Sequence, residues 1–439
     1  MARAMKDSGI EWIGEIPEEW SIRKMDMVCS VVTDYVASGS FADLAKNVEY
    51  LDEPNYAMLV RTADVSNKAR TSKAVYINKQ AYDFLRNSNL FGGELLFPNI
   101  GAVGDVYIVP KLYERMSLAP NSIICKTVYN DKYYYYYFLC QAGRQSLIEI
   151  SQSTAQAKFN KTDFKQIRAL VPPLAEQNKL VEFLDKECAR IDVMIEQTRA
   201  SIEEYKKLKQ SVITQAVTKG IRPGRKMKDS GVEWIGEIPE DWKLLSLGAV
   251  TESMRNGYVG PTKDLFIDEG VKYIQSLHIK DGGIDFSRQQ YYVSEEWANV
   301  HPKIKENDIL IVQTGDIGNV GLVTAEYDGC NCHALIIATP RTDLIFPQYL
   351  TFFLRSTVGK ELLLVYKTGA LLPHLNSGKI KFASICVPSL QEQKEIVNYL
   401  NAKCIAIDNL ISKKELLASE LESYKKSLIF EYVTGKKEA

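Results

Sequence analysis

One stretch of sixteen residues occurs twice, as "MKDSGIEWIGEIPEEW" over residues 5–20 and "MKDSGVEWIGEIPEDW" over residues 227–242, with 14 of 16 positions identical at an offset of 222. "VPPLAEQNKLVEFLDKECARID" from Val171 likewise matches "VPSLQEQKEIVNYLNAKCIAID" from Val387, and this offset of 216 holds without a gap until "AVTKG" meets "YVTGK". Length alone, at 439 residues, suggests about three domains. Internal repetition overrides that count, because each half must build the same scaffold from a motif, a variable segment and a long tail.

The tails carry apolar residues at alternating steps of four and three. Leu184, Cys188, Ile191, Ile195, Thr198, Ile202 and Tyr205 form one seam, and Leu400, Cys404, Ile407, Ile411, Lys414, Ala418 and Leu421 form its partner. A 3.5-residue repeat marks a coiled-coil seam. A helix of about 43 residues is about 65 Å long, more than a compact domain holds. A tail folded back as a hairpin within its own half is the alternative, but neither run contains the Gly or Pro that a turn needs.

Two like helices in one chain pack most simply side by side, and if an approximate two-fold axis relates the halves they run antiparallel. The second motif begins about ten residues after the first helix ends near Val217, within about 36 Å of it by chain reach. Symmetry then sets the first motif near the end of the second helix, around Val433. The motif carries Glu11, Glu15, Glu18 and Glu19 between Trp12, Ile13, Ile16 and Trp20. Its acidic residues repel phosphate, so it reads as a packing or partner-docking element.

Bulk properties narrow the class. Hydrophobic content of 46% with 25% charged residues suits a soluble globular chain, and no apolar run is long enough to span a membrane. No basic start followed by an apolar stretch suggests secretion. Cys29, Cys125, Cys140, Cys188, Cys330, Cys332, Cys386 and Cys404 lack a framework spacing, so the expected location is a reducing cytoplasm. Fifty-four basic against 55 acidic residues give a net charge of -1. Basic stretches remain, at Lys206, Lys207, Lys209, Arg222, Arg225, Lys226 and Lys228, and at Lys425, Lys426, Lys436 and Lys437. Solvated helix faces explain such runs more often than DNA does.

The variable segments share an outline. "FGGELLFPNIGAVGDVYIV" from Phe91 parallels "KENDILIVQTGDIGNVGLV" from Lys305, each an apolar strand, a glycine turn and a second strand. Aromatic helical stretches follow, "YYYYYFL" from Tyr133 and "FPQYLTFFL" from Phe346, and then the loops "STAQAKFN" from Ser153 and "TGALLPHLN" from Thr368. The glycines at Gly315, Gly318 and Gly321 could cradle a phosphate, although a hairpin turn needs them equally. The tyrosines could stack on bases, or alternate into a core with hydroxyls at its rim. Cys330, Cys332 and His333 lack a second ligand pair, and His278, His301 and His374 stand in no motif, so no metal is expected. Phosphate-binding loop, dinucleotide fingerprint, nucleophile elbow and the Asn-Pro-Pro-aromatic stretch of amino-methyltransferases are all missing. The chain reads as non-catalytic.

Taken together, tandem "SGIEWIGEIPEEW", variable segment, "VPPLAEQNKLVEFLDKECARID" and "AVTKG" resemble the specificity subunit of type I restriction-modification enzymes, over essentially the whole chain. The leading "MARA" departs from that pattern, as an alternative start or an appended remnant. The resemblance implies an α+β fold: two globular α/β target-recognition domains held apart by two long antiparallel helices in a coiled coil, with a pseudo-two-fold internal repeat. The first domain with its motif covers 1–172, the first spacer helix 173–220, the second domain 221–388, and the second helix and tail 389–439. It further implies double-stranded DNA, two modification subunits and restriction subunits as partners. S-adenosylmethionine, ATP and Mg would sit on those partners, with no cofactor or metal on this chain.

Base reading requires variable polar side chains on a fixed scaffold. The matched loops offer Gln152, Thr154, Gln156 and Lys158 in the first domain, and Thr368, His374, Asn376 and Lys379 in the second. Asn99, Gln313 and Asn319 flank the glycine turns as secondary candidates. Each could equally cap a loop. The competing reading is a two-armed coiled-coil scaffold whose ligands are proteins, which does not need a continuous positive surface. If Gln156 reads a base, Gln156→Ala weakens cognate half-site binding by about 1–3 kcal/mol in titrations with labelled duplex, and unchanged affinity removes it from the set.

Overall fold

The computed structural model describes residues 3–66, 73–151, 157–287, 289–369 and 373–439. Contacts divide the chain into two units, Met1–Thr198 with Leu417–Ala439, and Arg199–Leu416. Both long tails are helical, Leu174–Lys219 over 46 residues and Leu390–Val433 over 44. Pro172 and Pro173 precede the first and Pro388 the second, where a missing N–H costs no helical bond. Beyond their ends, Gly220 and Gly435 take φ of 76° and 72°, which stops a helix at little steric cost.

In the first unit, an antiparallel sheet has the order Cys29–Asp34, Ser122–Thr127, Leu95–Pro98, Tyr107–Ile108. A second sheet has the order Tyr76–Ile77, Ala57–Val60, Met116–Leu118, Asn89–Leu90, with Ala57–Val60 parallel to Met116–Leu118. The other unit repeats this plan. Its antiparallel sheet runs Thr251–Asn256, Leu335–Pro340, Ile309–Val312, Val320–Leu322, and its smaller sheet pairs Val271–Ile274 in parallel with Asn331–Cys332. The unbroken apolar runs Leu95–Pro98 and Ile309–Val312 are buried at every position, as strands covered on both faces must be.

A helical hairpin covers each sheet, Asp131–Leu139 with Gln141–Glu149, and Pro347–Arg355 with Thr357–Val365. Its tight corner excludes side chains. A Cβ on Gly143 would stand 2.2 Å from the Tyr137 carbonyl, and one on Gly359 would stand 2.1 Å from that of Phe353. The tyrosine run departs from the expected alternation, because Tyr133, Tyr134, Tyr136 and Tyr137 are all buried. Sheet, motif and both long helices surround this helix, so consecutive side chains meet different walls. Three of their hydroxyls end on main-chain carbonyls, of Val433 at 2.9 Å, Leu170 at 3.3 Å and Arg168 at 3.4 Å, while that of Tyr136 reaches the partly exposed Asp185 carboxylate at 2.9 Å.

Within each unit, segments of the two long helices pair antiparallel. In the first, the rings of Phe183 and Tyr432 lie 4.4 Å apart, and Lys425 meets Asp192 at 2.6 Å. In the second, Lys209 meets Asp408 at 2.7 Å and Arg222 meets Glu395 at 2.6 Å. Seam residues Leu184, Ile191, Ile195, Ile202, Leu400 and Ile407 are buried, while Ile411 and Leu421 are half-buried.

The repeated motif closes the helix ends. In the first unit, the Trp20 indole N–H donates to Glu176 Oε2 at 2.9 Å, and Arg3 grips the same carboxylate at 2.7 and 2.9 Å. Lys436, just past the second helix, donates to the carbonyls of Ile13 at 2.9 Å and Glu15 at 3.1 Å. The first motif therefore does lie at the end of the second long helix. In the other unit, Trp242 donates to Glu392 at 3.2 Å, and Arg225 pairs with Glu392 and Asp241. Arg3 and Arg225 are equivalent, so the repeat reaches back through "MARA" to residue 3.

Gln177 and Gln393, next in sequence to those carboxylates, are fully buried. Each bonds the main chain ahead of its own helix, at Pro172 O over 2.9 Å and Pro388 O over 3.0 Å. Trp20→Ala or Trp242→Ala should lower unfolding free energy by about 3–5 kcal/mol, since each removes a buried indole together with its bond to a carboxylate. Urea denaturation followed by far-ultraviolet circular dichroism checks this, and an unmoved midpoint contradicts it.

Candidate nucleic-acid interface

In both units the glycine stretch is a hairpin turn between paired strands. Gly101 and Gly104 take φ of 84° and 100°, and Gly315 and Gly318 take 79° and 85°. The loop that follows the helical hairpin returns to this turn. In the first unit, Phe159 N–H donates to Asn99 O at 3.1 Å, Gly101 N–H donates to Ala157 O at 3.3 Å, and Lys158 bridges Ile100. In the second, Leu375 N–H donates to Gln313 O at 2.9 Å, and Lys367–Thr368 pairs with His374–Leu375. Two segments about 60 residues apart thus form one polar edge in each unit.

The candidates fall on that edge in different ways. Lys158, His374, Asn376 and Lys379 are exposed, and Asn99, Gln313, Asn319 and Thr368 are half-buried. Asn99 and Lys158 come together in the first unit, as do Gln313, Thr368 and His374 in the second, where Thr368 and His374 hydrogen-bond each other. Gln152, Thr154 and Gln156 lie outside the described residues. Asn376 Oδ1 accepts Gly378 N–H at 2.8 Å and caps the turn Ser377–Ile380, as Asn160 caps Lys161–Gln166 in the first unit. That is the loop-capping role, and it leaves Lys379 displayed on the capped turn. Asn319 closes its hairpin by accepting Val312 N–H through its own carbonyl at 2.8 Å. Asn99 donates from Nδ2 to Phe159 O at 3.0 Å, while its buried Oδ1 has no hydrogen-bond partner among the described residues.

Charge supports this edge over the long helices. Much of the basic stretches is committed to carboxylates: Lys206 to Glu203, Lys209 to Asp408, Arg222 to Glu395, Arg225 to Glu392, Lys425 to Asp192 and Lys437 to Glu431. On and just after the loop of the second edge, by contrast, Lys367 and Lys379 are exposed. No group of three or more His, Cys, Asp or Glu among the described residues is placed to hold a metal, and His333 instead meets the Tyr273 hydroxyl at 3.1 Å. No helix among them is long and apolar enough to cross a membrane.

Sequence reasoning missed a cleft of about 480 Å³ beside the first turn, lined by Arg61, Thr62, Pro98, Ile100, Ala102 and Asn121 among others. Arg61 follows the strand Ala57–Val60 in a stretch with no motif. Its counterpart is Gln275, which follows Val271–Ile274. Near Gln275, burial lowers the His278 pKa. The ring accepts Gln275 N–H at Nδ1 over 2.9 Å and donates from Nε2 to Gln289 O over 2.7 Å.

Comparison with known proteins bears on this architecture. The family model for the type I restriction modification DNA specificity domain matches residues 17–204 and 239–417. A putative type I restriction enzyme MjaX specificity subunit from Methanocaldococcus jannaschii is 24% identical over 97% of this chain and 95% of its own. The EcoBI specificity subunit of Escherichia coli is 27% identical over 90% of this chain and 81% of its own. Among solved structures, a chain from work on complex assembly and conformational transition of the type I R-M system superposes with a TM-score of 0.70 at 14% identity, covering 96% of this chain and 99% of that one. The HsdS subunit from Thermoanaerobacter tengcongensis gives 0.53 at 14% identity, covering 96% and 98%.

If the edge meets phosphate, Lys158→Ala and Lys379→Ala should each weaken duplex binding about equally for every sequence and reduce the salt-dependence slope by about 1. Titrations at several salt concentrations read both quantities. An effect confined to one base position would make that lysine a base reader instead.

Proposed function

Because this chain belongs to the type I restriction-modification DNA specificity family, we propose that its two repeats each read one half of an asymmetric, bipartite duplex target. The chain is a DNA-sequence-specificity subunit, and what remains is how its residues divide that task. One observation carries the reading: the same hairpin-and-loop edge is built twice and furnished differently, with Asn99 and Lys158 in one unit and Gln313, Thr368 and His374 in the other. Unlike readers on like mounts cannot demand a palindrome. Family membership favours this over a scaffold with protein ligands.

In this reading the chain performs no chemistry. Two modification subunits bring S-adenosylmethionine, and restriction subunits bring ATP- and Mg-dependent translocation and cleavage. The long helices, unbroken over 46 and 44 residues, set the gap between half-sites and dock the modification subunits. Each base contact on the edges contributes discrimination of about 1–3 kcal/mol, so a few per half-site suffice for a defined target.

Mapping methylated adenines in a host that carries this chain and its partner subunits tests the reading directly. A single motif of two unlike half-sites at fixed separation is expected, and a continuous or palindromic motif would refute it. Adding one heptad to both helices lengthens each by about 10 Å, so the gap should grow by roughly three base pairs at about 3.4 Å each. A folded, partner-competent variant that retains the old gap rejects the helices as its determinant.

A further inference from the structure

Two positions outside the loop candidates share one mount and differ in chemistry. Arg61 and Gln275 each directly follow the strand that pairs in parallel across the smaller sheet of its unit. Each opens a short helical turn, Thr62–Val65 or Ser276–His278, from nearly the same backbone conformation, φ -102° and ψ 162° against φ -122° and ψ 170°. In both, the side chain three residues on accepts the backbone N–H of the mounted residue, Asp64 Oδ2 from Arg61 at 2.8 Å and His278 Nδ1 from Gln275 at 2.9 Å. Duplication has kept the mount and changed what it carries.

Arg61 is held in a fixed plane. Its Nε and Nη2 donate to Asp64 at 3.0 and 2.8 Å, and Nη2 also donates to Lys73 O at 2.6 Å. Its side chain stays 31% exposed and lines the cleft beside Ile100, the residue that bridges Lys158. The ion pair could be a mere staple for the turn. The second unit argues otherwise, since Gln275 and His278 open a comparable turn, a three-residue 3-10 turn in place of the four-residue α turn, with no cation at that position. Arginine is therefore not required there for folding.

We infer that Arg61 and Gln275 are base-reading residues, Arg61 for a guanine in one half-site and Gln275 for an adenine in the other. A glutamine amide matches adenine N6 and N7, and arginine matches guanine O6 and N7 by donating from two nitrogens, which at Arg61 requires Nη2 to exchange the Lys73 carbonyl for the base while Asp64 keeps the plane. A guanidinium already oriented by a carboxylate loses less freedom on binding, and Asp64 is its positioning residue. The assignment rests on the bipartite reading proposed above.

The test uses the full chain with its partner subunits, comparing wild type with Arg61→Gln, Arg61→Lys and Gln275→Arg. Methylated motifs are mapped, and binding is measured on duplexes varied one base pair at a time. With Arg61→Gln, guanine preference should fall roughly 5- to 150-fold at one position of one half-site, with the other half-site unchanged. Arg61→Lys keeps the charge but should lose the same preference. Gln275→Arg should exchange adenine for guanine at one position of the other half-site. Should Arg61→Gln not fold, the lysine variant and Gln275→Arg decide. Retention of the wild-type motif letter by letter in the folded variants overturns this assignment and leaves the bipartite reading intact. A wild-type motif that is not bipartite overturns the reading itself.

Discussion

A carboxylate at the start of each long helix, buried in the second unit and partly buried in the first, organises the rest of the architecture. Glu392 keeps only 4% side-chain exposure and Glu176 keeps 21%, so both are costly unless every acceptor site is used. The Trp20 or Trp242 indole and the Arg3 or Arg225 guanidinium supply the donors. A carboxylate at a helix N-terminus also gains from the unpaired N–H groups there. The indole comes from the end of the repeated stretch and the guanidinium from two residues ahead of it, so the clasp ties both ends of that stretch to the helix. Changing one partner leaves a buried charge without its complement, so the set changes together or not at all.

Around this clasp the chain separates what must stay constant from what is free to vary. Sheet order, the helical hairpin with Gly143 or Gly359 at its corner, and the buried glutamine after each clasp carboxylate recur in both units. The segments between them do not. The scaffold also disposes of much of its own charge, pairing lysines and arginines of the long helices with carboxylates. A net charge of -1 is therefore compatible with local positive edges, since the exposed Lys367 sits where the hairpin meets the returning loop and the exposed Lys379 follows that loop. Long-range attraction to DNA from such a chain is modest.

The parts legible in sequence are those with long or repeated signals. Both long helices follow from unbroken seams, and their bounds lie within two residues of the expected starts at 173 and 389. Leu95–Pro98 and Ile309–Val312 are recognisable because a buried strand is apolar throughout. The tyrosine helix is harder: a residue's hydroxyl end reveals nothing about which carbonyl waits for it, and the Val433 carbonyl that accepts from Tyr133 lies 300 positions away. The smaller sheets escape sequence reading altogether. Tyr76–Ile77 and Tyr292–Val293 are two residues each, too short for any period, and their positions are dictated by the parallel pairs beside them. Asn376 illustrates the remaining ambiguity, because an asparagine suited to base reading is equally suited to capping a turn.

The mount shared by Arg61 and Gln275 is invisible for a further reason. Its signature is a hydrogen bond from backbone N–H to a side chain three residues on, and Asp64 and His278 satisfy it with unrelated groups. A sequence comparison sees Arg-Thr-Ala-Asp against Gln-Ser-Leu-His and finds no repeat, although the backbone repeats closely. Where a duplicated scaffold fixes geometry through the main chain, side chains at the mounted position are released from folding and can diverge to suit separate ligands. Positions where backbone is retained but chemistry is not are thus where two halves of one duplicated design are free to differ. In this chain those positions lie at strand ends and in the loop that meets the hairpin, whereas the clasp, which folding needs in both halves, has kept its chemistry.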